Sequence, residues 1–530
     1  MKIAFVCSED KWLGVSYLSS YLKQHGHTTY LLFDPMLFNK AYVRIEGLRK
    51  IFRKEEDFIR RLREIKPDLI GFPVLAANYQ WAIGMAAFFK EWFDTPIIFG
   101  GPHATIIPDE VIANPQVDMV AVGEAEESLL ELANTQLKDK KVKGIWFKEG
   151  RDIIKNKLRV LGPDIDKYPF PDDDLFYEQL PPSYRITPSV ITSRGCPFSC
   201  TYCGNQIMQK INREAGSAIW VRQRSVANVL EELHWRKHVH QSRHFVLMDD
   251  IFSSNLAWLR DFVKEYKKRI ALPFNCLAHP SVAKEETIAL LKEAGCTFID
   301  FGLQTGCAFI RTTILQRYEK NEDVIRITRA CKKHKLKFAL DCILNLPGDT
   351  ENTIKESLSL FNSVRPDMVN CFPLAYLPGT KIVDIAKDKG ILNDADVSLI
   401  KRGRHTVYFS LSLNKRKQKD DYRKYSFLFV ALPVLPQRLV ERILKSSSLF
   451  RLFCRLPRIF LVMARVLVQL KSGFWFIFSN VASNELFYLR NYFFMVQESR
   501  KHFPIPLRKS LKVVAKGDFL ERTKCVVKKG

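Results

Sequence analysis

The sequence predicts two successive α/β units and a mainly α-helical C-terminal region: a doubly wound Rossmann-like sheet, then a partial (β/α)6 barrel, then helices. Three observations carry this. Short apolar strands alternate with helical stretches from residue 2 to 137, a second alternation starts at Ser189, and the chain after about residue 400 changes to apolar blocks separated by basic residues. Strand–helix alternation at these spacings marks parallel sheets covered by helices. The 530 residues leave room for two to four domains, and 47% apolar with 26% charged residues is ordinary globular composition.

In the first unit, residues 1–140, KIAFVC (2–7) reads as a buried strand, followed by a loop and a helix around Ser16–His25. TTYLLF (28–33), DLIGFPV (68–74), PIIFGG (96–101) and DMVAVG (118–123) are the further strands. Helices fit near Ile51–Ile65, Ala82–Phe93 and Glu126–Leu137. Ligands of such sheets bind outside the carboxyl ends of the strands. Residues 141–185, rich in Asp and Pro around PDIDKYPFPDDDLF, read as an interdomain linker.

The second unit, 186–395, has strands at SVITS (189–193), HFVLM (244–248), FNCLA (274–278), FIDFG (298–302), FALDCIL (338–344) and MVNCFP (368–373). Helices fit between them at Val226–His238, Leu256–Lys268, Lys284–Ala294, Glu322–His334 and Thr353–Ser363. Six strands with five intervening helices suggest a partial barrel, whose functional loops follow the strand C-termini.

The net charge of +25 is concentrated in the tail: residues 401–530 carry 28 Lys and Arg against 7 Asp and Glu, so the first 400 residues are nearly neutral. The tail blocks SFLFVALPVLP (426–436), IFLVMARVLVQL (459–470) and GFWFIFSNVA (473–482) fall short of the ~18 apolar residues of a spanning helix. They fit either interfacial helices on anionic lipid or an ordinary helical layer over the barrel mouth. Nucleic acid is disfavoured, because the basic residues alternate with aliphatic blocks and no recognition motif is present. The twelve cysteines are scattered rather than framework-like, and the start MKIAFVCSEDKW is unlike a signal peptide. A cytoplasmic location is expected, with the tail allowing contact at the inner face of the membrane.

RGCPFSCTYCGN (194–205) packs Cys196, Cys200 and Cys203 into eight residues. Closely spaced thiolates on a loop hold soft metals or iron–sulfur clusters. Structural zinc lacks its complement here, since no second C-x-x-C knuckle occurs. The reading that remains is a 4Fe-4S cluster with three irons held by protein and the fourth open to a small molecule.

C-x-x-x-C-x-x-C with aromatic Tyr202 before the last cysteine resembles the signature of radical S-adenosylmethionine enzymes, and the resemblance spans roughly 189–392. It implies that Asp249 and Asp250 in FVLMDDIF lie where the family binds the methionine part of the nucleotide, with Asp249 in contact. GLQTG (302–306) resembles the family's G-x-E-S-G segment, with Gln304 in place of Glu. LNLPGDTEN (344–352), with Gly348, resembles the G-x-P-G-x-T element, and LPGTKI (377–382) resembles the later P-G-T. Read locally, the Asp pair is an N-cap, PGDT and PGT are turns with caps, and His279 in LAHP is a structural histidine.

GGPHATIIPDEVIANPQVDMVAVGEAEESL (100–129) resembles the cobalamin-binding domain that precedes the radical domain in one subclass, the class B methyltransferases. The resemblance implies a cofactor surface from Leu13, Gly14, Leu75, Gly100, Gly101, His103, Thr105, Gly123 and Glu124. The histidine-ligating D-x-H-x-x-G motif is absent, and Trp12 stands where its histidine would be. The implied chemistry is one-electron cleavage of S-adenosylmethionine to a 5′-deoxyadenosyl radical, hydrogen abstraction from an unactivated carbon, and methylation of that carbon from cobalamin. The substrate is then a small molecule or a lipid, and the electron comes from a reductant such as flavodoxin or ferredoxin. The alternatives are a tetrapyrrole-type radical cyclase or oxidase, and a non-catalytic cobalamin or cluster sensor. Methylthio transfer to tRNA would call for more N-terminal cysteines than Cys7 alone.

Overall fold

A computed structural model describes residues 1–37, 52, 54–252, 254–404, 423–473 and 487–489. The first unit is a seven-stranded sheet built from β1 (Lys2–Ser8), β2 (Thr28–Asp34), β3 (Leu69–Pro73), β4 (Ile97–Gly100), β5 (Met119–Ala121), β6 (Ile145–Glu149) and β7 (Asp152–Lys155), in the order β2-β1-β3-β4-β5-β6-β7. Strands β1 to β5 are parallel. The alternation of side chains along β1 serves two cores. Ala4 and Val6 join Phe58, Leu62 and Tyr79 on one face. Ile3, Phe5 and Cys7 join Val15, Leu22 and Leu129 on the other. Burial on both faces is why these strands are continuously apolar. The order reverses direction between β1 and β3, and the carboxyl ends flanking that reversal form the crevice of such sheets.

The linker expected from residue 141 starts later. β6 and β7 form an antiparallel hairpin that extends the sheet from β5. Ile145 and Phe147 are buried in one core, Trp146 between them packs half-buried against the other, and Gly150 turns the hairpin at a φ of +61°. That alternation and turn are strand signals which the Asp- and Pro-rich composition further on obscures.

The second unit is a six-stranded parallel sheet in the order β15-β14-β13-β12-β11-β8, from β8 (Ser189–Val190), β11 (Phe245–Leu247), β12 (Phe274–Ala278), β13 (Cys296–Gln304), β14 (Lys337–Leu344) and β15 (Met368–Pro373). The five expected helices lie between its strands at Val226–His238, Leu256–Arg269, Glu285–Ala294, Asn321–Lys333 and Glu351–Val364. Ser225, Asn255 and Thr350 cap three of them by accepting from backbone N–H groups. The strand expected at 189–193 is broken. Its end, β9 (Ser193–Arg194), leaves the barrel and pairs antiparallel with β10 (Arg222–Gln223).

The tail forms helices Arg423–Ala431, Gln437–Lys445, Ser447–Cys454 and Arg458–Ser472. Leu428, Phe429, Ile443 and Phe450 share one core with Val369 and Cys371 of β15, and Phe429 meets Phe361 edge-on at 5.3 Å. The helix Arg423–Ala431 therefore supplies the sixth outer helix of the barrel. Among the described residues, no helix is long and apolar enough to cross a membrane. Most of the block at 473–482 lies outside the described residues.

Candidate cluster and cobalamin site

The cysteine loop starts where the chain leaves the barrel. Gly195 has a φ of +91°, and a Cβ there would come within 2.5 Å of the Trp220 carbonyl oxygen, so only glycine fits before Cys196. Trp220 Nε1–H donates to the Cys196 carbonyl at 3.0 Å and fixes the entry of the loop. The helix Asn205–Glu214 continues directly from Cys203. All three thiols are free. Burial pushes Cys196 up to about 12 and Cys203 to about 11; the Asp250 carboxylate and the Cys200 thiol add to both. Three clustered thiols, with one cation beside them among the described residues, suit a group that brings its own positive charge, and loading releases their protons.

That cation is Arg317, which the sequence reading missed. It is buried, and its guanidinium reaches Cys200 Sγ at 3.9 Å, the Tyr202 hydroxyl at 3.2 Å, His279 Nε2 at 2.8 Å, the Glu319 carboxylate at 2.7 Å and the Gly302 carbonyl. Burial alone would depress its pKa, but Tyr202, Glu319 and Cys200 hold it charged. His279 also belongs here: Phe198 of the cysteine loop stacks on its ring at 4.0 Å. Burial and then the Arg317 charge lower His279 to about 3, so it is neutral. Gln304, at a left-handed φ of +72°, folds its amide back over Gly302, where a Cβ would lie 2.8 Å from Nε2.

The Asp pair divides differently from expectation. Asp249, expected at the nucleotide, is buried; its Oδ1 accepts from the Thr192 N–H at 2.9 Å and the Ser193 hydroxyl at 2.6 Å. Through this oxygen it clamps the start of the cysteine loop, while its Oδ2 is buried with no partner among the described residues. Asp250 is the carboxylate beside Cys196 and Cys203, and it accepts from Asn205 at 3.0 Å. Gly348 has a φ of +100° and turns the chain over Ile310. The following Asp349 accepts from the Leu346 N–H, so PGDT is the capped turn of the local reading as well.

In the first unit, Leu13 and Gly14 follow β1, Leu75 follows β3, Gly100 ends β4 and Gly123 follows β5, so they share one sheet edge across the reversal. A Cβ on Gly14 would meet nothing within 4 Å, and Leu75 is 43% exposed, so this edge is open. Trp12 donates from its indole N–H to the Ser8 carbonyl at 3.0 Å and packs half-buried against the core under the helix Leu13–Gln24. Other expected contacts are turned inward. A Cβ on Gly101 would press on Val74 backbone atoms at 3.0 Å, so that glycine serves chain packing. His103 is buried against Tyr79, and burial lowers it to about 4. Thr105 Oγ1 accepts from the Gly123 N–H at 3.0 Å, tying two strand-end loops together.

Glu124, expected as a cofactor contact, forms the bridge between units. Arg194 and Arg222 are direct partners in the β9–β10 ladder, and both pair with Glu124; Arg194 also reaches Glu126 at 2.7 Å. Burial pushes Glu124 up, but the two guanidiniums outweigh it and keep the carboxyl below its ordinary range. Beside this, Ile106 of the helix Pro102–Ile106 sits over Gly204, where a Cβ would lie 3.3 Å from its Cδ1, and near Gly379. The cysteine loop and the sheet edge are thus locked together.

Residues 6–133 match the model of the B12 binding domain, and residues 190–361 match that of the radical SAM superfamily. An uncharacterized methyltransferase of Pyrococcus horikoshii is 24% identical over 63% of this chain and 73% of its own length. The anaerobic magnesium-protoporphyrin IX monomethyl ester cyclase of Cereibacter sphaeroides is 24% identical over 71% of this chain, which spans 60% of the cyclase. The radical S-adenosylmethionine methyltransferase TsrM of Kitasatospora setae, solved with cobalamin and a [4Fe-4S] cluster bound, shares the fold at a TM-score of 0.58 and 17% identity, over 73% of this chain and 75% of that one. The chain thus carries a B12-binding domain ahead of a radical S-adenosylmethionine domain, the arrangement of the cobalamin-dependent radical enzymes. It is an enzyme whose cofactors are a 4Fe-4S cluster, S-adenosylmethionine and cobalamin.

Proposed function

We propose that the protein methylates an unactivated carbon of a small-molecule or lipid substrate, with Cys196, Cys200 and Cys203 as the cluster ligands. When bound, the cluster and S-adenosylmethionine supply one-electron cleavage of a sulfonium, and cobalamin supplies the methyl group. The chain's own residues hold these reactants in one orientation. Asp250, Gln304 and Tyr202 border the open side of the cysteine loop, and Arg317 balances its charge. Leu13, Gly14, Leu75 and Gly100 border the cobalamin edge. Residues 1–140, with the added hairpin to Lys155, would serve cobalamin, and 186–395 the radical step. A one-electron donor of the flavodoxin or ferredoxin type would supply the reducing equivalent.

The observation that carries this reading is the lock between the two loops through Arg194, Arg222 and Glu124 and through Ile106 on Gly204. Methyl transfer needs the target carbon within about 3–3.5 Å of both reacting partners, and rigid attachment of their loops supports that. The test is anaerobic reconstitution with reductant, S-adenosylmethionine and cobalamin. We expect 5′-deoxyadenosine from the wild type and at least a hundredfold less from Cys200→Ala, with lower iron content. Undiminished formation in that variant would end the ligand assignment. The similarity to a cyclase keeps one second reading in view. Product mass separates them: a gain of one methylene unit marks methylation, and its absence alongside ring closure marks the cyclase.

A further inference from the structure

Ten of the fifteen residues of the helix Arg458–Ser472 are apolar, yet only a narrow strip of it, Ala464, Val468 and Ser472, is buried against the barrel. A helix of that composition belongs in an apolar surrounding. Its other side exposes Ile459, Phe460, Val462, Met463, Leu467 and Leu470, each 41–59% accessible. At 3.6 residues per turn these fall on one arc of roughly 160°. Leu449 and Leu452 of the preceding helix are exposed as well. The helix is held firmly in place: Lys337 Nζ donates to the Ser472 carbonyl at 2.8 Å and Lys471 Nζ to the Pro433 carbonyl at 2.6 Å. Scattered exposed apolar residues are normal on a protein; a continuous ridge marks an interaction surface.

Charge selects the partner. From residue 442 to residue 484 the sequence has seven Lys and Arg and no Asp or Glu. Arg465 flanks the apolar arc, and Arg455 lies exposed where the two helices meet. An apolar ridge bordered by basic groups matches a surface that is apolar within and anionic at its rim. The helix has 15 residues, about 22 Å at 1.5 Å per residue, short of the roughly 30 Å hydrocarbon core. It suits lying in the plane of a bilayer rather than crossing it. We infer that the ridge on Arg458–Ser472, with Leu449 and Leu452, docks the enzyme on an anionic phospholipid bilayer. The inference stands on this surface alone and is independent of the reaction catalysed.

The test is flotation of the full chain with vesicles of phosphatidylcholine and phosphatidylglycerol at 3:1 and with phosphatidylcholine alone. The wild type should float with the anionic vesicles, and tenfold less with the neutral ones. Met463→Glu with Leu467→Glu should lose at least nine-tenths of that binding. Arg455→Glu with Arg465→Glu should lose most of it and weaken its salt dependence. Both pairs change exposed or half-exposed side chains, and unchanged iron content and circular dichroism certify the fold. Wild type that stays in the lower fraction, or the Met463→Glu, Leu467→Glu variant floating as well as wild type, overturns the proposal. Concentration-dependent dimerisation lost in that variant, without flotation, assigns the ridge to a second copy instead and equally overturns it.

Discussion

Arg317 holds five groups of the site at once, and one of them is the thiol of Cys200. An N–H donor and a positive charge beside a ligating sulfur favour the reduced state of a cluster. Arg317→Gln should therefore lower the cluster's midpoint potential in a redox titration followed by electron paramagnetic resonance. A tenfold loss in the reduction equilibrium is about 59 mV for one electron, and we expect a shift of at least that size at unchanged iron content. No sequence signal pointed to Arg317. It lies more than a hundred residues from the cysteines, beyond the π-helical turn Ile310–Ile314, and only the fold brings it back to the loop. The cysteines themselves were legible because one short loop carries them all. The Asp pair was legible in principle. Phe245 and Leu247 are buried toward the helices, so by strand parity Asp249 follows them and Asp250 takes the opposite side.

At the scale of elements, Asp173 of the linker meets Lys11 from the loop after β1 and Arg236 from the helix Val226–His238; Glu232 of that helix also pairs with Arg236 and Arg224. Asp173, Glu232 and Arg236 have fully buried side chains, and burial lowers Lys11 to about 8 despite the Asp173 carboxylate. Removing the central anion leaves Lys11 buried without an ion-pair partner among the described residues and Arg236 with Glu232 alone. Asp173→Ala should cost about 3–5 kcal/mol in urea unfolding. Asp173→Asn, which keeps a polar partner, should cost less. The helices and strands around this network were largely readable, since apolar period and capping residues agree along each one. The network was not, because charged residues in a Pro-rich stretch read as solvated until three segments meet on them. The hairpin β6–β7 was lost to the same composition.

For the molecule as a whole, the relation between its two units is set by small contacts. Gly204→Val would drive methyls into Ile106, whose Cδ1 already lies 3.3 Å from a Cβ position. The two loops must then separate by a fraction of an ångström or more. A misplacement near 1 Å costs roughly a hundredfold where two partners must meet. S-adenosylmethionine cleavage depends on the cysteine loop and the barrel residues beside it, which this substitution leaves in place, and should persist. Methyl transfer should fall at least tenfold, so the ratio of 5′-deoxyadenosine to methylated product, measured by mass spectrometry, rises by that factor.

The sixth outer helix has a further consequence, which concerns where the chain can be divided. β15 is an edge strand, and the helix that covers it arrives only after residue 422. A polypeptide ending near residue 400 would keep every cofactor loop described above. It would also leave Phe361, Val369 and Cys371 bare beside an unpaired strand edge, the arrangement from which proteins aggregate. The catalytic half is thus not self-sufficient. Until the tail has been synthesised the barrel lacks the helices that cover β15, so a chain ending at residue 400 should aggregate in light scattering where the full chain does not.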